Sequence, residues 1–343
     1  MNFLHVDGSY GEGGGQILRI AASFSIIFGQ PIHITKIRAG REVSGLRQQH
    51  IAILRILREI SSGALEGDHI GSTEIFFSPG KIENRSLTFD LRTAASITLV
   101  LQAIIPAVSL SAASLEVEFV GGTDVPWSPT ADYFEKVLLP AIRLIGIDLD
   151  FEVRRRGYYP KGGGIIKAKI HPCTKLKEID LSKRSEDNDV LIVSRCGKLP
   201  KHVAERQASS AASKLREFGI EPRNITISLE ETSSPGSSIL VYTASDAFIG
   251  SDGIGAKGRT AESVGEMTAV VFGQEHKSGS TIDSHLADML APLLCLCREE
   301  SKLLAPKITE HMKSGLYVAR LFTNSNFSFQ EQGDAQLISL TPK

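Results

Sequence analysis

The order of elements along the chain constrains its fold most strongly. "NFLHVDG" (2–8) reads as a strand, and Ile17, Ile20, Ala21, Phe24 and Ile27 then recur at helical spacing. "PIHITKI" (31–37) is a strand with β-branched residues. Ile53, Ile56, Leu57 and Ile60 stripe a second helix between Gly45 and Ser62, and "STEIFFS" (72–78) and "SLTFDLRT" (86–93) follow as strands. The order then restarts. "AASITLVLQAIIPAVSL" (94–110) is a helix, "SLEVEFVGG" (114–122) a strand and "TADYFEKVLLPAIRLIG" (130–146) a helix. "IDLDFEVRRR" (147–156) and "GGGIIKAKI" (162–170) are two further strands. A third round is split, with "IDSHLADMLAPLLCLCREE" (282–300) as its first helix and "FSFQEQ" (327–332) and "AQLISLTP" (335–342) as closing strands. Such repetition predicts an α/β fold of two or three similar helix-and-sheet modules.

Between the second and third rounds the character changes. "HPCTKLKEIDLSKRSEDNDV" (171–190) is polar and charged and reads as a linker. After it come "VLIVSRC", a helix near 203–218, "NITISLE", "SILVYTA" and a helix near 260–275, which suit a compact insertion at 180–278. The expected division is a large domain of 1–179 and 279–343 with a small α/β domain inserted, and 343 residues suffice for both. Formal net charge is −1, so nucleic-acid binding requires a local basic patch rather than a basic surface. Apolar runs such as "SITLVLQAIIPAVSL" are too short and too polar-flanked for a membrane span. "MNFLHVDG" lacks the regions of a secretory signal, so a cytoplasmic location and no membrane partner are expected. Cys173, Cys196, Cys295 and Cys297 show no CxxC pairing and read as reduced thiols.

Short loops concentrate the chemistry. "VDGSYGEGGGQILR" runs three glycines into a helix behind Glu12; the glycines serve either a tight turn or a phosphate on exposed backbone N–H groups. Glu12 is a metal-ligand candidate or a helix-capping carboxylate. "RAGREVSGLRQQH" supplies Arg38, Arg41, Arg47, Gln49 and His50 where a strand passes into a helix, and arginine forks match phosphate oxygens. "RRRGYYPKGGG" supplies Arg154, Arg155, Arg156 and Lys161; the three arginines alone read as a solvated edge, and Tyr158 and Tyr159 either stack on a base or pack beside the glycines. "VGGTDVPWSPTADYF" holds Asp124 and the chain's single tryptophan between glycines and prolines. Gln102 is an amide in an apolar helix that must find partners, and His311 in "KITEHMKSG" is a cap or a nucleophile.

Taken together, "DGSYGEGGGQILR", "IRAGREVSGLRQQH", "TLVLQAIIPA", "GGTDVPWSPTADYF", "GYYPKGGG", "LPKHVAERQ" and "HLADMLAPL" resemble the RNA 3'-terminal phosphate cyclase family, in order and over nearly the whole chain. The resemblance implies a large domain of three modules similar to the C-terminal domain of translation initiation factor three, plus an inserted domain. It also implies a ligase that uses ATP to turn an RNA 3'-phosphate into a 2',3'-cyclic phosphate. In that family's terms His311 is the nucleophile that takes AMP. Arg19, Gln102, His285, Leu286, Ala287, Asp288 and Met289 bind ATP. Arg38, Arg41, Gln49 and His50 hold the RNA phosphate, and Glu12 holds Mg²⁺ or Mn²⁺. The chain departs from the family pattern at Met289 (commonly Gln), His285 (Tyr in some members), Ala95 (usually Gly) and the "KSG" after His311. The alternatives are a cyclase-like factor of ribosomal RNA processing, which lacks the histidine, and a small-molecule transferase on similar modules, such as an enolpyruvyl transferase.

Overall fold

A computed structural model describes residues 2–185 and 189–342. The first module runs β1 (Leu4–Asp7), α1 (Gly15–Phe28), β2 (Ile32–Thr35), α2 (Gln48–Ile60), β3 (Ala64–Glu66) and β4 (Ile75–Ser78). Its sheet has the order β1-β2-β4-β3, with the first pair parallel and the rest antiparallel. The second module repeats the plan with β5 (Arg85–Asp90), α3 (Ile97–Ser109) and β6 (Leu115–Gly121). There follows a helix in three parts, α4 (Ala131–Tyr133), a π turn (Phe134–Leu138) and α5 (Leu139–Leu144), before β7 (Leu149–Arg155) and β8 (Gly164–Ile170). The order is again first, second, fourth, third: β5-β6-β8-β7.

The third module opens with β9 (Asp180–Leu181) and is then interrupted by β10 (Val190–Gly197), α6 (His202–Glu217), β11 (Asn224–Glu230), β12 (Gly236–Thr243), β13 (Gly250–Ile254) and α7 (Ala261–Lys277). It resumes with α8 (Ser284–Leu294), β14 (Ser301–Ala305), α9 (Glu310–Thr323), β15 (Asn326–Gln332) and β16 (Ala335–Thr341). Its sheet, β9-β14-β16-β15, matches the other two position for position, although about a hundred residues separate its first strand from its first helix.

Periodicity explains most of these elements. β6 alternates strictly, burying Leu115, Val117 and Phe119 toward the helices and turning Glu116 and Glu118 outward. Helix α1 packs against α2, against α3 of the second module and against α9 of the third, so the modules share one apolar core. The interrupting segment forms its own sheet, β11-β10-β12-β13, with α6 and α7 packed together on it over a second core that includes Ile192, Leu215, Ile239 and Phe272.

Several expectations need correction. Within the expected linker, Leu176 is buried and Asp180–Leu181 pairs with Lys302 and Leu303; its residues 186–188 lie outside the described residues. Those two strand residues therefore belong to the third sheet. The helix expected over 282–300 ends at Leu294, and β14, β3 and β13 are strands that the apolar pattern missed because they are short. The helix over 130–146 widens into a π turn just before Pro140, whose ring cannot accept an ordinary helical turn behind it. Arg156 is not on a solvated edge. It is 4% exposed and donates to Asp124 at 3.1 Å and to Asp132 at 2.7 Å, while Arg154 and Arg155 face solvent. Cys196, Cys295 and Cys297 are buried, Cys173 is half-buried, and all four are free thiols. Among the described residues no helix is long and apolar enough to cross a membrane.

Candidate active site

The glycine turn lies between β1 and α1, and two close approaches shape it. Gly13 has φ +55°, and a methyl group there would meet the Gly40 backbone N at 2.8 Å. A methyl group on Gly15 would sit 2.4 Å from His50 Nε2. The glycines thus let the loop of residues 38–50 lie directly against the mouth of α1. From the other side the turn is clamped to α9: Tyr10 stacks on Tyr317 at 4.1 Å, and the Tyr317 hydroxyl accepts from Asp7 N at 3.1 Å.

This packing brings Glu12 to His311, which lies in the first turn of α9. The Glu12 carboxylate contacts His311 Nδ1 and is 3.3 Å from Arg41 Nη2. Among the described residues neither Glu12 Oε1 nor His311 Nδ1 reaches a partner in hydrogen-bond geometry, although both atoms are buried. Burial pushes the His311 pKa below its ordinary value, Arg19, Arg41 and His285 push the same way, and Glu12 opposes them. The imidazole is therefore neutral at physiological pH. A carboxylate beside Nδ1 favours the proton there and leaves the Nε2 lone pair free.

Around this pair stand the basic groups. Burial lowers the Arg19 guanidinium to about 10, and it has neither hydrogen bond nor ion pair among the described residues. His50 accepts from Arg47 N at 3.1 Å. Burial first, then Arg19, Arg38 and Arg47, push its pKa down to about 3. Arg38 adopts φ +57° and donates to the Val43 and Gly45 carbonyls, holding its own loop closed. Gln49 is engaged elsewhere: its amide accepts from Ser96 N at 2.6 Å and donates to Ser96 O at 3.2 Å, tying the first module to the second. Arg19, Arg38, Arg41 and His50 thus gather at the glycine turn, whereas Gln49 faces the neighbouring loop.

Helix α8 supplies the other wall. Leu286 and Ala287 are core residues, and their N–H groups are taken by the Asp283 carboxylate and carbonyl. Of the other three residues in that run, His285 is exposed, Met289 is half-buried and Asp288 is buried. Burial lifts the Asp288 carboxyl to about 7, against the Thr309 hydroxyl that donates to it and against His285. In α3, where the sequence reading required the Gln102 amide to find partners, its Nε2 is buried with no hydrogen-bond partner among the described residues.

Three groups with roles here were missed from the sequence. Thr309 caps α9 through Met312 N at 2.9 Å while its hydroxyl holds Asp288. Gln16 donates to Asp288 O at 3.2 Å. Asp283 caps α8 and accepts from the Tyr133 hydroxyl at 2.8 Å and from Gly250 N at 2.9 Å. The pattern Thr-Glu-His ahead of an apolar run was the available signal for Thr309.

A family model described as RNA 3'-terminal phosphate cyclase matches residues 10–329. The chain belongs to the RNA 3'-terminal phosphate cyclase family. A relative of that name from Staphylothermus marinus is 40% identical over 330 residues, covering 94% of this chain and 92% of the other. One from Thermococcus kodakarensis is 39% identical, covering 96% and 95%, and one from Methanopyrus kandleri is 37% identical over the full length of both. Among solved structures, an EPSP synthase from Acinetobacter baumannii overlaps 99% of this chain and 65% of its own at 12% identity. Its TM-score of 0.28 carries no argument about the family's chemistry.

The site is thus assembled from His311 on α9, His285 and Asp288 on α8, and the basic loop between α1 and α2. No group of three or more His, Cys, Asp or Glu side chains gathers to hold a metal among the described residues. Glu12 Oε1, which faces His311 Nδ1 and Arg41 Nη2 without hydrogen-bond geometry, nevertheless fits a cation bound by one carboxylate, with substrate phosphates supplying further oxygens.

Proposed function

We propose that the chain is an ATP-dependent RNA 3'-terminal phosphate cyclase that works through a covalent histidine adenylate. The observation that carries this is the neutral His311 imidazole, held with Nδ1 against Glu12 among Arg19, Arg41 and His285. His311 Nε2 attacks the α-phosphorus of ATP; the bond to the bridging oxygen breaks, pyrophosphate leaves, and AMP remains on nitrogen. An RNA 3'-phosphate oxygen then attacks the same phosphorus, the imidazole leaves, and an anhydride joins RNA to AMP. The adjacent 2'-hydroxyl attacks the RNA phosphorus, loses its proton, closes the ring and expels AMP. Each displacement has a better leaving group than direct ring closure would have. The 2'-hydroxyl is already beside its target, which supplies the proximity.

Arg19 and Arg41 lie where they can neutralise charge on phosphate oxygens in both transfers. Asp288, held by Thr309, would accept from ribose hydroxyls, and the free Gln102 amide would meet the nucleotide. Glu12 would hold Mg²⁺ or Mn²⁺, which supplies further neutralisation of phosphate charge when bound. A cyclase-like factor without ATP chemistry has no use for His311. In this reading the chain is cytoplasmic, and the segment following β9 folds as a small inserted domain. With a 3'-phosphate oligoribonucleotide, ATP and Mg²⁺, the protein should form one cyclic end per AMP and pyrophosphate released. Cyclic ends formed without ATP consumption would refute the reading.

A further inference from the structure

Trp127, the single tryptophan of the chain, is 98% exposed and sits at φ +68°. A left-handed backbone at a bulky residue costs about 1–2 kcal/mol, and the surrounding loop is built to keep it. Thr98 Oγ1 donates to Pro129 O at 2.8 Å, Ser128 Oγ to Val125 O at 2.9 Å, and Asp124 is fixed by the buried Arg156. The loop is tied at these three points and leaves the tryptophan ring in water.

A second exposed ring lies on the neighbouring loop. Asp124 bridges Tyr158 in parallel register, so the loops carrying Trp127 and Tyr159 leave the second sheet side by side. Tyr158 is buried against Gly236 and Ser238, but Tyr159 is 69% exposed. A third loop, residues 92–96, packs against them: a methyl group on Gly162 would meet Thr93 O at 2.8 Å and Ala94 Cα at 2.9 Å. Four exposed cations fringe the three loops. Arg92 lies on the third loop, Arg155 Nε donates to Gly163 O, Lys161 N is held by Ser234 Oγ, and Lys198 Nζ donates to Ser233 O. None of the four forms an ion pair among the described residues, whereas the neighbouring Arg154 is paired twice.

The same loops connect to the active site, because Ser96 is gripped on both backbone groups by Gln49, the residue before His50. We infer that Trp127 and Tyr159 form a stacking platform for unpaired bases of the RNA strand upstream of its 3' end, with Arg92, Arg155, Lys161 and Lys198 along the phosphates. Exposed aromatic rings beside unpaired cations suit single-stranded nucleic acid, since every base offers a π face and every link a negative charge. The inference rests on the cyclase reading for the identity of the strand.

Because Trp127 is the only tryptophan, its fluorescence reports this site alone. Titrating the full chain with a single-stranded, mixed-sequence oligoribonucleotide ending in a 3'-phosphate, without ATP, should quench that emission as the RNA binds. Trp127→Ala should weaken binding of the same RNA about tenfold, measured by anisotropy of a 5'-labelled strand, and Trp127→Phe should restore most of it. Loss of Lys161 and Lys198 together should flatten the salt dependence of binding. Binding without quenching, or equal affinity in Trp127→Ala, overturns the platform and leaves the cyclase reading intact. No binding of 3'-phosphate RNA by the wild-type chain, together with no covalent capture of AMP, overturns both.

Discussion

His50 shows how much one side chain is asked to do at the glycine turn. It packs where a methyl group on Gly15 would be, and burial with three arginines keeps its imidazole neutral, with a pKa of about 3. The unfolded chain takes up this proton near pH 6.5, so the folded state loses stability as pH falls below that value and continues to lose it toward 3. The wild type should therefore lose about 2–3 kcal/mol more than His50→Gln between pH 7 and 4.5, in urea unfolding followed by circular dichroism. A parallel pH dependence in the two proteins would show that His50 is solvated. The glycines themselves announced a turn, but their partner was invisible in the sequence because Gly15 and His50 are brought together only by the fold of the loop between them. Arg156 was misread for a similar reason. Strand alternation says that one of three consecutive arginines turns inward, yet nothing local reveals the two carboxylates that wait for it, Asp124 in the loop after β6 and Asp132 on α4.

At the scale of elements, α8 and α9 are linked through a single hydroxyl. Thr309 caps the helix that carries His311 and donates to the Asp288 carboxylate on α8, the helix proposed to face the nucleotide. Thr309→Val should cost about 1 kcal/mol from the lost cap and lower the melting temperature by about 1–2 °C. It should also raise the KM for ATP in self-adenylation, while Thr309→Ser recovers both. A KM unchanged in Thr309→Val would separate Asp288 from nucleotide binding. The helices and longer strands here were legible because their apolar spacing is regular. β14 was not, since five residues between a charged turn and a proline carry too little periodicity, and the π turn before Pro140 answers a steric conflict that spacing alone does not register.

Across the whole molecule, the interrupting segment is joined to the second module by buried charge. Asp132 accepts from Arg156 and from Arg195 of β10, and Arg195 continues to Glu230 of β11. Burial opposes the Arg156 charge, but Asp124 and Asp132 outweigh it and hold the guanidinium firmly protonated. Arg156→Leu strands Asp124 and leaves Asp132 with Arg195 alone, and should destabilise the protein by about 3 kcal/mol, most visibly as an early unfolding step by calorimetry. A single transition at the wild-type temperature would mean that the two parts do not depend on this contact. The central claim concerns His311. Intact-mass spectrometry of the purified chain after ATP and Mg²⁺, followed by peptide mapping, tests it most directly. The account predicts one added adenylyl group, located on His311, lost in acid, kept in alkali and absent from His311→Ala. An adenylyl group on another residue, or on the His311→Ala chain, would contradict it.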